Sequence, residues 1–157
     1  MAKPRESSEL VRVDGAKVAI VASKWHPECV EPMIVRCQRE LGLRGVTEIQ
    51  VHYLPGCYEL ALSSRLLLQR FPDLDAIIAF GVIVKGDTDH YEMIRDEVMR
   101  GFSRVMFEFN KPIIMEVLAV RDVADAFRRS RDDERNKGYE AAVALSEIVS
   151  WRRGLGA

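Results

Sequence analysis

No apolar run in this 157-residue chain approaches the roughly 18 residues that a membrane-spanning helix needs, so no segment is expected to cross a bilayer. Cysteine is scarce: Cys29, Cys37 and Cys57 contain no CxxC pair and cannot all pair with one another. Neither a zinc site nor a disulfide framework is indicated, and a reducing cytoplasm is the expected setting. An excess of either charge is also missing. The formal net charge is -1 with acids and bases interspersed, which gives no long-range field to attract nucleic acid or an anionic membrane, so an anionic ligand has to be held locally. The chain has no Walker A motif, GxGxxG, GxSxG or HExxH, and with them go the usual signals of nucleotide hydrolysis, dinucleotide binding, a serine nucleophile and a zincin metal site. Repeats, low-complexity tracts and linkers are lacking as well. What remains is a composition 48% hydrophobic and 30% charged, that of one globular domain over residues 1–157, with residues 1–15 expected to form a flexible arm.

The apolar residues have a readable order. Ala16 to Ala22 (AKVAIVA) has the length and β-branched content of a buried strand. Val30, Met33, Ile34, Cys37 and Leu41 then recur at helical spacing up to Gly42, with Pro32 requiring that the helix begin near it or bend. Val46 to Leu54 reads as a second strand, Tyr58 to Arg70 as a helix, and Leu74 to Phe80 as a third strand closed by Gly81. Tyr91, Ile94, Val98, Phe102, Val105 and Phe109 line one face of a long helix. Pro112 to Leu118 is a fourth strand, followed by helices from about Asp122 to Arg131 and from Asn136 to Arg152. Strands separated by single helices need right-handed crossovers, which put helices on both faces of a parallel sheet. The expected fold class is therefore α/β: a three-layer, flavodoxin-like sandwich around a four-stranded parallel sheet.

In such a sheet the ligand crevice lies beyond the carboxyl ends of the strands, where strand order reverses. Four segments fall on that rim: Lys24-Trp25-His26, Pro55 to Glu59, Val82 to His90, and Leu118-Ala119. Trp25 either covers the end of the core or stacks on a flat heterocycle over the crevice. Glu59, after Pro55-Gly56 at a helix start, either complements the helix dipole or accepts hydrogen bonds from sugar-like hydroxyls. Gly86 permits a tight turn whose following amides, at Asp87 and Thr88, open a helix and point at an anion such as a phosphate. Asp87 opposes that role if its carboxylate faces the anion, and fits it if the side chain turns away as an N-cap. His90 lies in the first turn, either as an exposed surface residue or as a group placed to move protons. Arg128 to Lys137 (RRSRDDERNK) is either a solvated helix end or the source of an arginine for bidentate phosphate binding.

Taken together, Leu54-Pro55-Gly56-Cys57-Tyr58-Glu59, then Gly81-Val82-Ile83-Val84-Lys85-Gly86-Asp87-Thr88-Asp89-His90, then Asn136-Lys137-Gly138 resemble the lumazine synthase family in order and spacing, over about Ala16 to Trp151. The resemblance implies condensation of 5-amino-6-ribitylaminouracil with 3,4-dihydroxy-2-butanone 4-phosphate to 6,7-dimethyl-8-ribityllumazine in riboflavin biosynthesis, with release of phosphate and water and with no metal or cofactor. By matching positions it implies that Trp25 stacks on the pyrimidine and that Cys57, Tyr58 and Glu59 hold the ribityl chain. Val82, Ile83 and Val84 offer backbone hydrogen bonds to the ring. Asp87 and Thr88 amides hold the phosphate with Arg129, and Lys137 joins the substrate-binding set. His90 is the catalytic residue. Met115 and Arg129 are implied to come from a neighbouring subunit of a homopentamer, which in some members is one of twelve in a hollow shell. Lys85 stands where arginine is usual, His26 where asparagine is usual, Met115 where an aromatic is frequent, and Glu116 where glycine is typical. A buried carboxylate at Glu116 is expected to need Lys111, an arginine or water. The second expectation is a non-catalytic protein of the same fold that binds a lumazine or flavin or builds a shell. A magnesium-dependent signalling receiver is disfavoured, because Ser23-Lys24-Trp25 stand at the end of the first strand in place of an acidic cluster.

Overall fold

The computed structural model describes residues 10–156 of the chain. Four strands, β1 (Lys17–Ser23), β2 (Glu48–Leu54), β3 (Ala76–Val84) and β4 (Ile113–Val120), form one parallel sheet in the order β2-β1-β3-β4. Between and after them run α1 (Pro27–Leu43), α2 (Leu60–Arg70), α3 (His90–Phe109), α4 (Val123–Ser130) and α5 (Lys137–Gly154), with a short 3-10 turn at Cys57–Glu59. The architecture is the expected α/β sandwich. Helices α1, α4 and α5 cover one face of the sheet and α2 and α3 the other.

Each face of the sheet has its own core because successive strand residues point to opposite sides. Val18, Ile20 and Ala22 of β1 pack with Met33, Ile34 and Leu41 of α1, whereas Ala19 and Val21 pack toward Leu60 and Phe102. β1 and β3, in the middle of the sheet, are buried on both sides and read as continuous apolar runs, as central parallel strands do. α5 approaches α1 so closely that a Cβ at Gly138 would overlap the Met33 carbonyl, so this position has no room for a side chain.

Several boundaries differ from expectation for local physical reasons. α1 begins at Pro27, ahead of Pro32, and carries Pro32 inside it. Pro27 occupies the first turn, where a missing N–H is harmless, and the buried stripe from Cys29 to Leu41 holds the helix through Pro32. β3 does not stop at Gly81 but continues to Val84, paired with β4 as far as Val84↔Val120. Gly81 is instead a point of close approach: a Cβ there would lie 2.5 Å from the Cys57 sulfur. Of the expected arm, residues 1–9 lie outside the described residues. Its last part is held in place, since Val13 is buried and its N–H donates to the Arg44 carbonyl at 2.7 Å, while the Gly15 N–H donates to Gly45 at 2.9 Å.

Candidate functional site

Strand order reverses between β1 and β3, because α1 leads from β1 to the edge strand β2 and α2 returns past β1 to β3. That reversal splays the connections at the carboxyl end of the sheet and leaves a crevice. A cleft of about 590 Å³ opens there, walled by the segments after β1 (Ser23, Trp25, His26), after β2 (Pro55 to Glu59) and along and after β3 (Val82 to Val84, Gly86, Thr88), with His90, Tyr91 and Ile94 of α3.

The wall after β1 is set by a tight change of direction. The Ser23 hydroxyl accepts from the Trp25 N–H at 3.1 Å, and His26 adopts a left-handed backbone (φ 54, ψ 52) before Pro27 starts α1. That left-handed conformation is uncommon for residues other than glycine, and histidine is among the few side chains enriched in it. The turn leaves Trp25 67% exposed. Trp25 and Glu59 face each other across Gly56: a Cβ there would lie 3.2 Å from Glu59 Oε2 and 3.7 Å from Trp25 Cδ1. A side chain at Gly56 would therefore crowd both groups.

The β3 wall offers backbone. Pairing of β1 with β3 ends at Ala22↔Phe80, so Val82 to Val84 run on beyond any neighbour on that side. In a parallel ladder alternate residues direct both peptide groups to the same side. Lys85 N–H donates to Val120 on the β4 side, while the Val82 carbonyl accepts from the Cys57 thiol at 3.8 Å on the other. Val82 and Val84 thus present their peptide groups to the cleft, and those of Ile83 face β4. Cys57 is buried, and desolvation pushes its thiol up to about 11, so it stays protonated at neutral pH and acts as a weak donor.

The third wall is a polar turn leading to α3. Gly86 to Asp89 are all exposed, and the helix opens at His90 with Asp89 as N-cap, lacking a side-chain cap bond. This corrects the expectation that the amides of Asp87 and Thr88 open the helix: they precede it, and Asp87 is not its cap. Thr88 and His90 line the cleft; Asp87 does not. Lys85 and Glu92 pair at 2.9 Å, and the Lys85 ammonium holds the Glu92 carboxyl below its ordinary range.

Met115, Arg129 and Lys137 are absent from this cleft. Met115, on β4, packs into the α2–α3 core. Arg129 is exposed on α4 and, unlike Arg128 with Asp125, has no side-chain hydrogen bond or ion pair among the described residues. Lys137 opens α5, paired with Glu140. Asn136 fixes that corner by capping α5 through the Gly138 N–H while donating to the carbonyls of Ser130 and Arg131. Glu116 faces the same corner. Burial raises its carboxyl to about 7, with Lys137 and Arg129 pulling it down and Glu140 pushing it up. The expected partner Lys111 lies elsewhere, donating to the Leu74 carbonyl.

Reading by segments missed Ser23, Tyr91 and Ile94 as cleft residues; helical spacing did place Tyr91 and Ile94 on the inner face of α3. Among the described residues no group of three His, Cys, Asp or Glu side chains is arranged to hold a metal ion, and no helix is long and apolar enough to cross a membrane.

Residues 15–153 match the family described as 6,7-dimethyl-8-ribityllumazine synthase. Relatives bearing that name include one from Kineococcus radiotolerans, 33% identical over 96% of this chain and 94% of its own. Another from Leuconostoc mesenteroides is 32% identical over 91% and 92%, and one from Xylella fastidiosa is 35% identical over 89% and 92%.

Proposed function

Because the chain belongs to the 6,7-dimethyl-8-ribityllumazine synthase family, we infer that it condenses 5-amino-6-ribitylaminouracil with 3,4-dihydroxy-2-butanone 4-phosphate. It is a transferase of riboflavin biosynthesis acting on small-molecule substrates. The family match and the names of the relatives do not favour a non-catalytic binding or shell protein.

The observation that carries the site assignment is that one cleft at the switch point combines an aromatic plate, a carboxylate, free backbone groups and an imidazole. Trp25 stacks on the pyrimidine, and Val82 and Val84 hydrogen-bond its edge, with the Ile83 side chain beneath. Glu59 accepts ribityl hydroxyls beside Cys57 and Tyr58. The amine of the uracil adds to the ketone carbonyl and water leaves to give an imine. Loss of phosphate follows, then ring closure by the ribitylamino nitrogen with loss of a second water. His90 transfers protons in these steps, and the leaving phosphate rests on the turn at Thr88, the residue of the Asp87-Thr88 pair that lines the cleft.

A departing phosphate gathers negative charge, yet among the described residues no arginine or lysine lines the cleft. Met115 and Arg129 reach it from an adjoining copy of the chain in a homopentamer, and Lys137 joins the substrate-binding set. Exposed apolar side chains such as Phe107, Leu62 and Trp151 give such an assembly surface to bury. Three free, buried cysteines suit a cytoplasmic setting. Mixing the purified protein with both substrates and following phosphate release beside product absorption tests the reading. Stimulation above the spontaneous reaction is expected, and its absence overturns the activity. Mass measurement in solution is expected to give five chains or a multiple of five, and twelve pentamers would mean a closed shell.

A further inference from the structure

We propose that Lys85 and Glu92 act as positioning residues, forming a clasp across the Gly86–His90 turn that holds this turn and Tyr91 in place over the cleft. The proposal deepens the functional reading above and rests on it for the identity of the phosphorylated substrate. The clasp itself is a matter of geometry.

The turn has little else to hold it. All its residues are exposed, Asp89 makes no cap bond, and the first helical bond, from the Met93 N–H to Asp89, is long at 3.4 Å. Its two ends are anchored. On one side the Lys85 N–H donates to the Val120 carbonyl at 2.8 Å, extending the β3–β4 ladder; on the other, Glu92 sits in the first turn of α3. The Lys85 ammonium meets Glu92 Oε1 at 2.9 Å, closing a loop of backbone that contains Thr88 and His90. Glu92 Oε2 is shut off from solvent with no hydrogen-bond partner among the described residues, and the charge of the carboxylate is offset first by Lys85, with Arg95 adding to it. The same ammonium lies 6.0 Å from the centre of the Tyr91 ring, which has Arg95 at 5.6 Å. Tyr91, a cleft-lining ring, is thus flanked by two cations, one of which is the clasp.

Simple electrostatics and the clasp make opposite predictions for Glu92→Met. Removing a negative charge near an anion site tightens the phosphorylated butanone if charge alone matters. Loss of the clasp instead loosens the turn and raises KM for that substrate by about fivefold, the scale of one exposed ion pair, with KM for the uracil unchanged. Lys85→Met has the same effect, and Lys85→Arg, which can still reach the carboxylate, restores the original value. Hydrogen exchange at the amides of residues 86–91 reports on the clasp without turnover: it quickens in both Met variants and returns to the original rate in Lys85→Arg. Unchanged exchange in both Met variants overturns the proposal, as does a lower KM for the butanone in Glu92→Met or an equal rise in both KM values. If the unsubstituted chain shows no turnover, the activity reading fails while the exchange rates still decide the clasp.

Discussion

The cleft and the β4–α4–α5 corner are built from opposite materials. The cleft presents rings, peptide groups and one carboxylate around open space, with Trp25 and Tyr58 largely in solvent and, among the described residues, no lysine or arginine. The corner is compact and ionic: Asn136 is buried, Lys137 is tied to Glu140, and Glu116 is pressed into low-dielectric surroundings beside them. A phosphorylated substrate needs what the cleft lacks and the corner has, an exposed guanidinium. On the proposed reading, the chemistry is divided between these two surfaces of one chain, and the pentamer is what would bring the corner of one copy to the cleft of the next.

The strongest way to break that picture is Arg129→Ala. If the guanidinium stabilises the leaving phosphate, turnover falls by roughly 10³, the scale of removing one preorganised transition-state donor, with the fold intact because the side chain is exposed and makes no hydrogen bond or ion pair among the described residues. Co-assembling Arg129→Ala with His90→Ala chains sharpens the test. Mixed rings regain a fraction of the activity if each site draws on two copies, and stay inactive if all the groups act within one.

Glu116 tests the corner by itself. Its carboxyl is raised from an ordinary 4.5 to about 7, so the fold favours the protonated form. Stability from this group is complete below about pH 4.5 and is lost as pH rises through 7, amounting to roughly 3 kcal/mol. Glu116→Gln removes the titration. Thermal denaturation is expected to show the variant gaining on the original between pH 5 and pH 8, and parallel curves would show that Lys137 and Arg129 already neutralise the carboxylate.

The two regions also differed in how far they could be read from sequence. The cleft was accessible because strand ends are marked by composition: AKVAIVA must end where Ser23-Lys24-Trp25 begins, and the switch-point rule then places Trp25, Glu59 and His90 on one rim. Gly81 misled, since a glycine after an apolar run reads equally as a stop or as space for a neighbouring side chain, here Cys57. The start of α3 was ambiguous because Asp87, Thr88 and Asp89 are all good N-caps, and local preference does not choose among them. The corner was illegible: Glu116 feels the charge of Lys137 only because α5 folds back on β4, a proximity no local pattern encodes.

Within the cleft, His90→Ala is expected to lower kcat by roughly 10² while leaving both KM values nearly unchanged, the mark of a group that moves protons without holding substrate. A change in KM alone would make His90 part of the binding wall, and the cleft would then need another proton carrier.

Trp25→Ala gives the smallest and most local effect. Its ring is 67% exposed and contributes little to the core, so the melting temperature should hardly move. Loss of a stacking partner weakens a flat heterocycle by roughly 1 to 2 kcal/mol, about a tenfold rise in KM for the uracil with kcat nearly intact and KM for the butanone unchanged. Trp25→Phe should fall between, because a smaller ring keeps part of the overlap. A large loss of stability in Trp25→Ala, with KM unaltered, would make the indole a cover for the strand ends and move the pyrimidine to another wall of the cleft.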